Sequence, residues 1–403
     1  MDNGLYVYLL STFSSHYFNQ KTVVASKKTM KHLERFGLWL SIALFAIYSR
    51  NHRIEALTAP SHHRNVGAVS TKDEEIVLPN GVRAQVVSSV PPSPSPGKPP
   101  IIFLHGSFHG AWCWQEHYLS YFAERGHSCV AFSWRGTGGT PAGEGVKKVK
   151  IVEDHCEDFQ ALLDALPSIL GGDDNDDNRG NDPKMLPIVV SHSMGGIIVM
   201  KYLDEIFLRK PKTKPNEVFS GIVSMCSVPP SGNSRTTMRY LRRSLIDTYR
   251  ITVGFVFKKV ITDDSICREC FFGGEKRVSE DGSVIDDFGV SDDDLARYQG
   301  YFERDSRTVL DVSDLAKNAP SNTADEGGRA PFLADLPPCL VIGATDDFIV
   351  DEVANAETAT YYGTDKPVYV DSPHDVMVGK NWENGAIAVN EWIEKTINTE
   401  TRN

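Results

Sequence analysis

The chain has 403 residues, a formal net charge of −11 and 41% hydrophobic residues. That apolar fraction suits a globular protein and is too low for a multi-span membrane protein. The negative balance excludes nucleic acid as the main partner, because phosphate recognition needs a basic surface.

The charge is unevenly placed. Residues 1–70 hold 8 Lys and Arg against 3 Asp and Glu, a balance of +5, which leaves the remainder at −16. A basic head on an acidic body reads as a targeting segment before a catalytic domain. Phe36 to Ser49 (FGLWLSIALFAIYS) is nearly all apolar, with Lys27, Lys28, Lys31 and Arg35 before it and Arg50 and Arg53 after it. A helix of that length rises only ~21 Å against a ~30 Å hydrocarbon core. A signal-type segment or short anchor therefore fits better than a stable span, with a buried or interfacial helix as the alternative. The expectation is membrane association through residues 36–49, with endomembrane or plastid targeting. Ala59 to Thr71 reads as a tether.

The folded body starts near Glu74. EEIVLP, Asn80-Gly81 and VRAQVVSSV predict two strands around a turn. Val90 to Pro100 is a proline-rich connector. Ile101 to Leu104 (IIFL) predicts a buried strand, Gln115 to Arg125 a helix ended by Gly126, and Cys129 to Ser133 another strand. Val152 to Leu166 has helical periodicity. Gly171 to Pro183 (GGDDNDDNRGNDP) is an acidic insertion without the spacing or closing Glu of a calcium loop, so it reads as a solvated loop. Leu186 to Val190 and Phe219 to Ser227 predict strands around a helix from Met194 to about Leu208. Leu340 to Gly343 and Val368 to Val370 predict two more, and Trp382 to Ile397 a closing helix. Strands alternating with helices imply a parallel sheet covered on both faces. The alternation fails between Pro229 and Leu336. An insertion there would sit over the carboxyl ends of the strands, as a cap. The expected organisation is a targeting segment over 1–70, a core over 74–230 and 336–403, and a cap or lid over 231–335.

The strongest chemical signal is Val189-Val190-Ser191-His192-Ser193-Met194-Gly195-Gly196. A β-branched strand runs into a tight turn and then a helix, which lifts a serine hydroxyl above the sheet against a helix N-terminus. The usual pattern is G-x-S-x-G, and here Ser191 stands in the first position. His105 to Trp114 (HGSFHGAWCW) follows the IIFL strand, with Trp112 and Trp114 read as packing residues. Asp346 and Asp347 follow a later strand, and either carboxylate could hold an imidazole. His374 follows the last strand. His105 reads as a structural histidine holding its loop, His192 as lining a pocket or packing beside the turn, and Arg135 as part of a sheet-top turn. The seven cysteines are dispersed, which is not a disulfide framework, and Cys267 and Cys270 have no second pair nearby to complete a zinc site.

Residues Ile101 to Ile397 resemble the α/β-hydrolase superfamily. HGSFHGAWCW and SPHDVM look like segments of its esterase- and lipase-like members, and the first is also similar to the plant methylesterase and hydroxynitrile lyase branch. The resemblance implies an α/β-hydrolase fold: a mostly parallel sheet with helices on both faces and an inserted cap. It implies Ser193 as nucleophile, Asp347 rather than Asp346 as acid and His374 as base, in the chain order of that superfamily. It also implies an oxyanion hole built from the backbone amides of Ser107 and Met194. Members that open epoxides carry Asp at the elbow, where this chain has Ser193. The expected activity is cleavage of a carboxylic ester or lipid through an acyl-enzyme, with no cofactor and no metal. The alternatives are C–C cleavage of the hydroxynitrile-lyase type, or a non-catalytic small-molecule receptor.

Overall fold

The computed structural model describes residues 69–91, 97–171, 185–209, 213–274, 277–278, 284–286, 290–379 and 381–397. The apolar stretch 36–49, the head and tether through residue 68, and all but the first residue of the acidic insertion lie outside the described residues. Among the described residues, no helix is long and apolar enough to cross a membrane.

Eight strands form one sheet: β1 (Ser70–Val77), β2 (Arg83–Val90), β3 (Ile101–Leu104), β4 (Cys129–Phe132), β5 (Ile188–His192), β6 (Gly221–Met225), β7 (Cys339–Asp346) and β8 (Val368–Pro373). Their spatial order is β1-β2-β4-β3-β5-β6-β7-β8. β2 pairs antiparallel with β1 and with β4, and all the other pairings are parallel. The mostly parallel sheet expected from the sequence is therefore present. The β1–β2 connection is wider than a two-residue hairpin: Val77 pairs with Arg83, the Leu78 amide bonds the Val82 carbonyl, and Gly81 takes φ +83° inside the loop.

Every residue of β3 and β5 is buried, as expected of central strands covered on both faces. Side-chain alternation sends Ile101 and Phe103 to one core layer and Ile102 and Leu104 to the other. The first layer is filled from α1 (Trp112–Gln115), α2 (Tyr118–Ala123) and a late helix, α11 (Trp382–Trp392). The second layer is filled from α3 (Glu157–Ile169), α4 (Met194–Arg209) and α10 (Glu352–Tyr362). The helix expected over Gln115 to Arg125 runs only from Tyr118 to Ala123, behind the separate short α1. The break falls where Arg297 holds the Glu116 carboxylate and the His117 ring stacks on Trp382 at 4.4 Å, contacts that no local pattern encodes.

Between β6 and β7 lie α5 (Asn233–Arg243), α6 (Leu245–Ile251), α7 (Asp264–Phe271), α8 (Asp292–Asp305) and α9 (Val312–Lys317). Side chains of Asp263, Ser291 and Asp311 cap α7, α8 and α9. This region is tied to the loops that follow the early strands. Val309–Leu310 pair in parallel with Lys148–Val149, and the buried Asp305 carboxylate accepts hydrogen bonds from Gly138 N (2.7 Å) and Trp112 Nε1 (2.9 Å). Trp112, expected only to pack, thus also anchors the loop after β3. Cys267 and Cys270 are two free, buried thiols on α7, and burial pushes Cys270 up to about 12.

Candidate active site

Strand order explains why distant residues meet. β3 and β5 are neighbours, so the loop after β3 lies beside the turn after β5. β6, β7 and β8 follow on the same side, so the loops after β7 and β8 approach that turn from the opposite direction.

Ser193 sits between β5 and α4 with φ +51°, a left-handed backbone that a non-glycine residue adopts only when its surroundings impose it. The Ser193 amide donates to Met225 O (3.1 Å), and the Ser193 carbonyl accepts from Gly196 N (3.1 Å) and Val228 N (3.0 Å). The turn needs small residues. A Cβ on Gly195 would lie 2.8 Å from the carbonyl oxygens of Leu104 and His105, and one on Gly196 would lie 1.9 Å from Ser227 Oγ. Ser191 is tolerated in the first position because its hydroxyl donates to Val223 O (3.1 Å) on β6.

The Ser193 hydroxyl lies 3.2 Å from His374 Nε2. His374 Nδ1 lies 3.0 and 2.9 Å from the two Asp347 oxygens. Asp347 Oδ1 also accepts from the amides of Ile349 (2.7 Å) and Val350 (2.8 Å), which fix its orientation. Asp346 is exposed at the end of β7, opposite Pro373, so Asp347 is the carboxylate that reaches the imidazole. Asp351 caps α10, its side chain accepting the Ala354 amide. A register shift between β7 and β8 just before these loops helps aim them at one another. Burial opposes the charged form of His374, but the Asp347 charge, its hydrogen bond and the nearby Asp375 outweigh that effect. His374 is held above the ordinary histidine value.

The loop after β3 closes over the nucleophile. A Cβ on Gly106 would lie 2.7 Å from Ser193 Cβ, so only glycine allows this approach. Ser107 and Met194 come together, with the Ser107 hydroxyl 3.4 Å from Met194 Sδ. Met194 is the first residue of α4, so its amide has no acceptor within the helix. His105 donates from Nδ1 to Gly106 O (2.7 Å) and accepts the Trp134 amide on Nε2 (3.0 Å), and the Trp134 indole bonds the His105 carbonyl (3.0 Å). Burial lowers His105 to about 3, so it stays neutral and holds its loop as expected. His192 donates from Nε2 to His374 O (2.9 Å). Burial, then the neighbouring His374 and His109, push it well below the ordinary value. Arg135 bonds Asp158 (2.9 Å) and Asp154 (2.7 Å) beneath the sheet-top turn, which makes it a structural tie.

Sequence reasoning missed three neighbours of the site. Asp375 is fully buried directly after His374, bonds the Phe271 carbonyl of α7 through its amide (3.1 Å), and meets His109 Nε2 at 2.9 Å. Its adjacency to His374 and the second His-Gly of HGSFHG were the signals available. Cys226 is buried just past β6 with φ +45°, beside Asp347 and His374. Phe271 brings its ring to 6.3 Å from His374, and with Phe255 it packs on Phe108. Among the described residues, the triples His192, His374, Asp375 and Cys226, Asp347, His374 each bring possible metal-ligating atoms within 4.8 Å of one another. Both His374 nitrogens are already engaged, so a cation could enter only by displacing Ser193 or Asp347.

The arrangement joins a hydroxyl, an imidazole and a carboxylate in series at a helix N-terminus, with the Phe271 ring beside the imidazole. Chemically, it can remove the hydroxyl proton and stabilise the imidazolium that forms. The sequence profile of the alpha/beta hydrolase family matches residues 101–381. Over 96 residues, 24% of this chain and 30% of the relative, the chain is 32% identical to Methylesterase 18 of Arabidopsis thaliana. Over 104 residues, 26% of this chain and 32% of the relative, it is 28% identical to Norfluorocurarine synthase 2 of a Strychnos species. The matches thus span about a third of the length of these curated relatives. A laboratory-evolved variant of potato epoxide hydrolase aligns with a TM-score of 0.52 at 17% identity, over 81% of this chain and 100% of that one. A mutant epoxide hydrolase from Solanum tuberosum gives 0.51 at 17%, again over 81% and 100%. At these identities the likeness to the solved structures is one of fold.

Proposed function

The chain belongs to the alpha/beta hydrolase family, and from that premise we propose that it is a serine hydrolase of carboxylic esters. The observation that carries the reading is the series Ser193 Oγ, His374 Nε2 (3.2 Å), His374 Nδ1 and Asp347 (2.9 Å). His374 takes the Ser193 proton, Ser193 attacks the ester carbonyl, and the Ser107 and Met194 amides receive the oxyanion. The alcohol leaves with the proton from His374, and water then repeats the sequence to release the acid.

A serine at the elbow supports ester chemistry over epoxide opening, and the partial likeness to a protein named a methylesterase points the same way. Phe271, 6.3 Å from His374 and packed with Phe255 on Phe108, favours an uncharged, apolar ester, with no cofactor. The test is hydrolysis of a p-nitrophenyl ester chain-length series by the full chain, beside Ser193→Ala and His374→Ala. The expected result is a burst and turnover in the wild type, both abolished in the variants. A folded wild type that neither turns over these esters nor reacts with a fluorophosphonate would refute the reading and favour C–C cleavage or a receptor, which product analysis and ligand binding separate.

A further inference from the structure

A second histidine–carboxylate pair lies beside the first. His109 is 1% exposed and Asp375 is fully buried. The His109 ring is stacked on Trp112 (5.4 Å) and enclosed by Phe302 (5.0 Å) and Phe271 (5.5 Å). Its Nδ1 lies 2.7 Å from the Ser107 carbonyl, and its Nε2 lies 2.9 Å from Asp375 Oδ2. A carbonyl only accepts, so Nδ1 carries a proton. Two bare acceptors cannot face each other at 2.9 Å in a dry interior, so a second proton lies between Nε2 and the carboxylate. Whether it rests on the ring or on the carboxyl, the pair is neutral as a unit.

The placement gives this pair a task. The Ser107 carbonyl belongs to the loop that approaches Ser193 at Gly106 and would supply an oxyanion amide, while Asp375 directly follows the base. His105 holds the peptide before Ser107 through Gly106 O, and His109 holds the peptide after it. Asp375 is also hydrogen-bonded to Phe271 of α7 through its amide. We propose that His109 and Asp375 form a proton-holding positioning couple that fixes the oxyanion loop against the loop of His374, so that its loss lowers kcat and leaves KM almost unchanged. This inference rests on the serine hydrolase reading. A clamp on oxyanion donors acts where charge develops, in the transition state, which is why the effect falls on kcat.

The test uses the full chain with p-nitrophenyl acetate as substrate and a trifluoromethyl ketone as a probe of the oxyanion site. His109→Ala and Asp375→Ala are each expected to lower kcat on the order of 10²-fold, the scale of one lost or misplaced oxyanion donor. KM should stay within about twofold, and ketone affinity should fall in proportion to kcat. Asp375→Asn can still donate to Nε2 and keep the Ser107 bond, so it should recover about tenfold of that loss. Because a single truncation strands a buried polar partner, the double variant His109→Leu with Asp375→Leu serves as the folding-competent test and should show the same kcat defect. Unchanged kcat in folded variants, a defect confined to KM, or an Asp375→Asn variant no better than Asp375→Ala would each overturn the proposal. Nitrogen-15 NMR of the imidazoles in Ser193→Ala decides the pair independently of turnover. A persistent Nδ1 proton on His109 supports it and a bare Nδ1 refutes it, even if wild-type inactivity has refuted ester hydrolysis itself.

Discussion

Replacing Asp347 with asparagine keeps the size of the side chain and removes its charge. In the native site, Oδ1 accepts two backbone amides, from Ile349 at 2.7 Å and Val350 at 2.8 Å, and Oδ2 lies 2.9 Å from His374 Nδ1. The amide oxygen of the variant would stay on the two backbone donors, which turns the NH₂ toward Nδ1. Nδ1 must then accept, so the ring proton moves to Nε2, where it points at Ser193 Oγ, and the histidine can no longer take the serine proton. The expected loss is ~10⁴ in kcat, about 5.4 kcal/mol at 1.36 kcal/mol per tenfold, with KM little changed. The assay is p-nitrophenyl ester hydrolysis across pH, with Asp346→Asn as a control of near wild-type rate because Asp346 is exposed. In the wild type, His374 must be neutral to act, and its partners raise it. Activity should therefore appear as pH rises through a midpoint above 6.5, and removing the Asp347 charge should move that midpoint down. A folded Asp347→Asn enzyme that keeps more than about a tenth of the wild-type kcat would refute the tautomer argument.

Other consequences concern the scaffold. Gly196→Ala forces a Cβ to within 1.9 Å of Ser227 Oγ. It should destabilise the fold by about 1–3 kcal/mol in urea unfolding, and a variant as stable as wild type would show that the elbow has slack. Arg135→Ala leaves Asp158, whose side chain is 0% exposed, without its cation. The expected cost is about 3 kcal/mol by the same measurement, and a loss under about 1 kcal/mol would mean that Asn80 alone satisfies the carboxylate. His155 is buried and neutral, lowered to about 4 by desolvation, with Asp154 and Arg135 acting in opposite senses. Its contribution is present in full above pH 6.5 and is lost as pH falls toward 4, because the unfolded chain takes up the proton first. Melting temperature should drop across that window, and His155→Phe should flatten the drop.

Much of this protein was legible from residue order alone. The runs IIFL, CVAF and IVV announce buried strands because a strand covered on both faces is apolar along most of its length. Ser193 stands out because the two glycines after it are the residues that a close backbone approach demands. The resemblance, more than any local pattern, put His374 and Asp347 beside Ser193. Sequence alone placed the serine on a strand-to-helix turn and the candidate histidine and carboxylates in loops after later strands. It could not choose between Asp346 and Asp347 on spacing, because the choice depends on which carboxylate the Ile349 and Val350 amides turn inward. Nor could it show that His109 and Asp375, 266 residues apart, meet at 2.9 Å beside Trp112, Phe271 and Phe302. The division has a physical cause. Burial pattern and backbone propensity are local properties, written residue by residue along the chain. A hydrogen bond between loops depends on strand order and register, which are fixed only when the whole sheet closes around its core.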